Sequence, residues 1–291
     1  GCGVRRGRLD VRADHRLRRS AFGQPGPVRR MNLSIDLGPQ VWTLLALLVR
    51  VGVLVFLFPV GSARVPVAVR LGLSGWLAFA LWRAVPPESW LVPQPGYPLA
   101  LVREALVGLG MALVIQLVMG AVQLAGQLVD MPMGFGVVNL LDPQTGQQVP
   151  VLSQLFSILA ALLFFVLGGP AVVLAALRQS LSWIPIGTAA VTSETARLLI
   201  RESAGVFATG LRLSLPVVAA GFLADVSLGV LSRAVPQFNV FIEGFPIKIG
   251  LGLLVLLAAV PFYVEAIGAL VGMVGWLPET LGEMLQSLRV R

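Results

Sequence analysis

The chain has 291 residues, of which 56% are hydrophobic and only 12% charged, with a formal net charge of +8 and a pI of about 11.2. Soluble domains carry roughly 25% charged side chains, so this composition excludes an ordinary soluble enzyme and indicates an integral membrane protein. Nor does the basic balance indicate a nucleic-acid partner, because residues 1–30 hold nine arginines against two aspartates while the rest of the chain holds thirteen basic against twelve acidic residues.

Residues 1–30 have no initiating Met and no apolar segment, and Pro25-Gly26-Pro27 comes just before Met31. A disordered or upstream-translated extension is expected here, with the true start at Met31, rather than a signal peptide. The alternative is a cytosolic arm that touches lipid. Cys2 and His15 are the only residues of their kinds and both lie in this tail, and Lys248 is the only lysine. The body therefore offers no disulfide, no His/Cys metal site and no Ser-His or Cys-His pair. With no Walker or H-E-x-x-H pattern either, no enzyme activity, cofactor or metal is expected.

Six apolar blocks follow, at about 42–60, 67–85, 105–129, 151–176, 203–224 and 247–276. Each is near the roughly 17–25 residues that cross a bilayer as a helix. Prolines 59, 86, 87, 132, 150, 185, 236 and 246 punctuate the gaps, as at helix boundaries. The expected fold is an all-α membrane protein of about six long hydrophobic helices. Basic residues do not alternate cleanly between successive loops, so the positive-inside rule fixes no orientation.

Arg50, Arg70, Arg212 and Glu265 fall within or beside these blocks. A lone charge facing lipid is costly. Arg70, at a block edge, can snorkel to the headgroups; Arg50, Arg212 and Glu265 are expected against a partner or a pore.

In the third block Gln116, Gly120, Gln123, Gln127 and Asp130 recur at spacings that place them on one face of a helix. That small, polar face is either a helix–helix seam with glutamines bonding across it or the lining of a watery conduit. It leads into the irregular stretch 127–146, where Pro132, Gly134 and Gly136 end the helix. Irregular backbone between apolar helices survives only where protein or water covers it. In the sixth block Pro261, Glu265, Gly268, Gly272 and Gly275 repeat the same spacing, and Gly268 and Gly272 fit a small-xxx-small packing pattern. Between the fifth and sixth blocks, 225–248 reads as an amphipathic interfacial connection, with Asp225 and Arg233 as possible local ion partners. A defined turn is expected at Pro236-Gln237-Phe238-Asn239.

Four strings stand in order: Gly126-Gln127-x-x-Asp130-x-x-Met133-Gly134-Phe135; Leu141-Asp142-Pro143-x-x-Gly146; Asp225-x-x-Leu228-Gly229-x-x-Ser232-Arg233-x-x-Pro236-Gln237-x-Asn239-x-Phe241; and Gly244-Phe245-Pro246-x-Lys248. Together they resemble the FliR family, the R subunit of the flagellar and type III secretion export gate, over about residues 31–286. The resemblance implies a structural, pore-forming subunit, not an enzyme, that conducts unfolded export substrates across the bacterial inner membrane at the flagellar basal body. It implies helical hairpins spiralling into a funnel with FliP-like and FliQ-like subunits, contacted by FlhB-like and FlhA-like export proteins. Membrane lipid and unfolded protein in transit are the other contacts, with no nucleic acid. Residues 31–185 correspond to a P-like part carrying a plug loop, and 186–291 to a Q-like hairpin.

Carried over by motif, Met131, Pro132, Met133, Gly134, Phe135 and Gly136 are the plug or gating candidates. Methionine is flexible enough to seal and then deform, and apolar rings gate by dewetting. Gln116, Gly120, Gln123, Gln127, Asp130, Glu265, Gly268 and Gly272 are candidates for a seam or the lumen. Asp142, Pro143, Asp225, Arg233, Pro236, Asn239 and Lys248 are structural motif positions. Many family members carry Gly-His after the fourth segment; this chain has Gly168-Gly169-Pro170, so no role is carried to that connection. The alternatives are a secondary transporter of a small solute, using Arg50, Arg212, Glu265 and the break at Pro132, and the equivalent subunit of a virulence-type secretion system.

Overall fold

A computed structural model describes residues 37–59, 65–83, 85, 96–134, 151–235, 240–272 and 275–289. Every regular element among them is a helix. In chain order these are α1 (Leu37–Phe56), α2 (Val67–Trp82), α3 (Tyr97–Asp130), α4 (Val151–Val166), α5 (Gly169–Trp183), α6 (Ser193–Ala234), α7 (Val240–Ala258), α8 (Val260–Val271) and α9 (Trp276–Ser287). Four spans are long and apolar enough to cross a membrane, five if the bent pair α4–α5 counts as one. The protein is thus an all-α membrane protein, with fewer full-length spans than the six blocks suggested.

Two of the blocks are broken where local chemistry demands it. The fourth turns through 65° between α4 and α5, because Gly168 takes a left-handed conformation (φ 78°) and Pro170 then starts the next helix. The sixth is two helices, since α7 ends at Ala258 and Pro261 opens α8. Conversely, the fifth block is longer than its apolar core. α6 begins at a capping box formed by Thr192 and Thr195 and runs 42 residues through Pro216, absorbing residues 225–234 of the expected interfacial connection.

α3 is the axis of the chain. It packs against α1, α4, α6, α8 and α9, and 61% of its apolar window is buried, against 33% for α1 and α6. Val107, Met111, Ile115 and Val122 have no exposed surface. In lipid, apolar burial alone gives little drive for helices to associate, so close approach and polar links must hold them. Both are present. A Cβ on Gly108 would run into the backbone carbonyl of Arg50 on α1, and one on Gly126 would sit 2.5 Å from the Cα of Ser153 on α4. α9 returns to the α5–α6 connection: Thr195 Oγ1 donates to the Ser287 carbonyl at 3.1 Å, and the Ala190 amide to the Leu288 carbonyl at 3.1 Å.

Candidate functional site

α3 carries an anchored carboxylate near each end. Near its start, Glu104 is fully buried and forms an ion pair with the equally buried Arg50 of α1. The pairing is bidentate: Arg50 Nε donates to Glu104 Oε2 at 2.6 Å and Nη2 to Oε1 at 3.1 Å. Arg50 also donates to Ser180 Oγ at 3.0 Å and to the Ile184 carbonyl at 3.2 Å, while the Gly187 amide donates to Glu104 Oε1 at 2.8 Å. One cluster therefore ties α1, α3, the end of α5 and the turn before α6. A buried ion pair holds only when its remaining donors and acceptors are also satisfied, and here they are. Arg50 does face a partner, as expected, but that partner lies in the same chain. Glu104 was not a candidate in the sequence reading, because it sits one residue outside the third apolar block; the available signal was an acid beside a long apolar run containing no other acid until Asp130.

At the other end of α3, Asp130 is buried. Its carboxylate accepts the amides of Leu152 (3.0 Å) and Ser153 (3.2 Å), the exposed donors of the first turn of α4. This is an N-cap supplied from another helix, where a negative charge also meets the positive end of the helix dipole. Ser153 Oγ returns a hydrogen bond to the Gln123 carbonyl at 3.2 Å. With Gly126 allowing close approach beside it, the end of α3 and the start of α4 are clamped together.

The residues just past Asp130 divide into one free side chain and three anchors. Met131 is 83% exposed. Pro132 lies against Gly221 of α6, where an added Cβ would come within 2.7 Å of its Cβ. Met133 is buried in a small cluster with Val129, Leu152 and Val217, its side chain filling the space left by Gly252 of α7. Gly134 takes a left-handed conformation (φ 81°) facing the ring of Phe245. Within this chain the Met133 thioether packs the α3–α4–α6–α7 junction and is not on the surface. Phe135, Gly136, Asp142 and Pro143 lie outside the described residues.

The stripe sits on one helix, as the spacing predicted. Gln116, Gln123 and Gln127 are exposed and Gly120 borders open space. The Gln116, Gln123 and Gln127 side chains thus lie on an uncovered side of α3 within the chain, whereas Asp130 at the end of the stripe meets α4, and the closest backbone approaches fall on Gly108 and Gly126. Gln116 Nε2 donates to the Leu57 carbonyl at 2.7 Å. Glu265 is exposed on α8. The expected glycine face ends early, because α8 stops at Val271: Gly272 is its C-cap, and a Cβ on Gly268 would touch Leu167 only at 3.8 Å. Among the described residues no other helix approaches Gly268 more closely than this, while Gly275 lies against the Ala269 carbonyl. Arg212, also expected against a partner or a pore, is exposed in this chain.

Asp225 pairs with Lys248 across α6 and α7, not with Arg233. Eight helical residues separate Asp225 from Arg233, roughly 12 Å along the axis, too far for contact. Arg233 instead occupies the last turn of α6, where a cation suits the dipole. Pro236 and Asn239 lie outside the described residues. Each of these three acids has a structural engagement: Glu104 with Arg50, Asp130 with two amides, Asp225 with Lys248.

Residues 41–274 match the family described as bacterial export proteins, family 1. The chain is 32% identical over 231 residues to the flagellar biosynthetic protein FliR of Bacillus subtilis (strain 168), covering 78% of this chain and 88% of that protein. It is 29% identical over 215 residues to that of Escherichia coli (strain K12), covering 74% and 82%, and 28% identical over 221 residues to that of Pectobacterium carotovorum subsp. carotovorum, covering 75% and 85%.

Proposed function

The chain belongs to the FliR family of bacterial export proteins, and from that membership we propose that it is a pore-forming subunit of the flagellar protein export apparatus in the inner membrane. Unfolded export substrates pass beside it. FliP-like and FliQ-like subunits cover its outward faces, and FlhB-like and FlhA-like proteins contact it. In this reading residues 31–185 form the P-like part and 186–291 the Q-like hairpin.

The observation that carries the reading is the exposed Met131 at the end of the glutamine stripe, held by three anchored neighbours. A gate needs a deformable contact on a rigid mount. Met131 supplies the first, being unbranched and polarizable; Pro132, Met133 and Gly134 supply the second. The stripe from Gln116 to Gln127 is the wettable wall leading to it. In this reading Met131 is the exposed contact of the plug stretch 131–136, and Pro132, Met133 and Gly134 are its mount.

Of the groups the transporter reading would use, Arg50 has its donors engaged by Glu104, Ser180 and Ile184, which weighs against that reading. The test is conductance of the gate in cells. Met131→Ala, or deletion of 131–136, is expected to raise ion leakage; unchanged leakage in both would sink the plug assignment.

A further inference from the structure

Arg50 and Arg70 lie on neighbouring helices and meet opposite circumstances. Arg50 has its carboxylate. Arg70, in the first turn of α2, has none: its Nε is buried without a hydrogen-bond partner among the described residues, and its guanidinium carbon stands 6.0 Å over the Phe56 ring. No acidic residue occurs between Asp36 and Glu88. Arg70 as a whole is half-buried and only its Nε is enclosed; an enclosed N–H without an acceptor is costly, so an anion seated at this rim gains both the charge and an unused donor.

That cation borders a groove of about 400 Å³, walled by Leu54, Phe58, Leu73, Trp76, Phe165 and Leu177. Its outer rim is open, since Leu73, Trp76 and Phe165 are 48%, 67% and 58% exposed. Apart from Arg70, every lining residue is apolar. The groove gathers the end of α1, the start of α2, the end of α4 and the start of α5. Its walls then continue along the helices toward Leu54 and Leu177.

One cation lining an otherwise apolar, open slot matches one class of occupant. We propose that this groove binds an anionic phospholipid, with an acyl chain along Leu54, Leu73 and Leu177 and the phosphate accepting from Arg70. The charge complementarity is specific: a zwitterionic lipid fills the slot equally well but brings its own cation to Arg70. A partner helix laid in the groove would have to deliver a carboxylate to the same spot.

The experiment uses the full chain. Purified protein is stripped of lipid, then offered phosphatidylglycerol or phosphatidylcholine, and the retained lipid is counted by native mass spectrometry. Retention of the anionic lipid is expected to exceed that of the zwitterionic one about fivefold, the scale set by one basic residue at an anionic surface. Arg70→Gln should remove the preference and Arg70→Lys keep it, both with unchanged helix content. Leu73→Trp, which fills the slot from its exposed rim, should lower retention of both lipids. In cells, a photo-crosslinking residue at position 73 should give an adduct of phospholipid mass. Equal retention of the two lipids, an unaltered preference in Arg70→Gln, or an adduct to a protein at position 73 would each overturn the proposal.

Discussion

The region around Arg50 and the α6–α7 hairpin are built from similar apolar residues, yet one is finished within the chain and the other is not. Around Arg50, four segments converge on one saturated ion pair, and glycine lets α1 and α4 press against α3. On α6, by contrast, Phe207, Phe222, Leu223 and Val230 are each more than 60% exposed, as are Leu254 and Leu257 on α7. The one ion pair tying the hairpin together, Asp225 with Lys248, is itself 46% and 23% exposed. Composition does not distinguish the two regions; the placement of charge does. Where a charge is fully buried, the chain supplies its partner. Where apolar surface is left bare, the partner is another molecule.

Four single substitutions and one double change probe that contrast, each read as the loss of stability of the purified chain in detergent. Glu104→Ala leaves Arg50 buried and unpaired and should cost about 3–5 kcal/mol. The double change Arg50→Met with Glu104→Leu should recover most of that loss, because it removes both charges together. If Glu104→Ala were harmless, the first region would not be self-sufficient. Gly126→Val drives a side chain into the backbone of Ser153 and should cost about 1–3 kcal/mol, separating α4 from α3. Asp130→Ala removes the cap on α4 and should cost about 1 kcal/mol, with a larger effect on gating than on stability. Lys248→Ala should cost at most about 1 kcal/mol, as for an exposed pair. A Lys248→Ala loss equal to that of Glu104→Ala would erase the distinction.

Much of this architecture was legible in the residues, and the failures have physical causes. The sequence ends the third block at Val129, one residue short of the helix end at Asp130, because Pro132 and Gly134 cannot continue it. Its start was placed too late, since Arg103 and Glu104 look like a flank until a buried partner for the acid is known. Hydropathy reports length but not direction, so the bend at Gly168 was hidden inside one apolar run. The same blindness merged α7 with α8, although Pro261 was in view. The roles of Asp130 and Met133 depend on which helices lie across from them. No spacing along one helix could reveal that Asp130 caps α4 or that Met133 fills the gap left by Gly252. Likewise Asp225 and Arg233 are near in sequence, but helix rise separates them and brings Lys248 over instead.

The length of α6 has one more consequence. Forty-two residues at 1.5 Å each make a rod of about 63 Å, roughly twice the hydrocarbon thickness of a bilayer, about 30 Å. Its bare apolar side chains are spread from Ile200 to Val235, some 53 Å at the same rise. To draw that stretch wholly into the hydrocarbon, α6 would have to lean by about 55°, beyond the 0–40° range of spanning helices. An upright α6 therefore overhangs the membrane by about 20 Å of greasy surface, in water unless other polypeptide sheathes it.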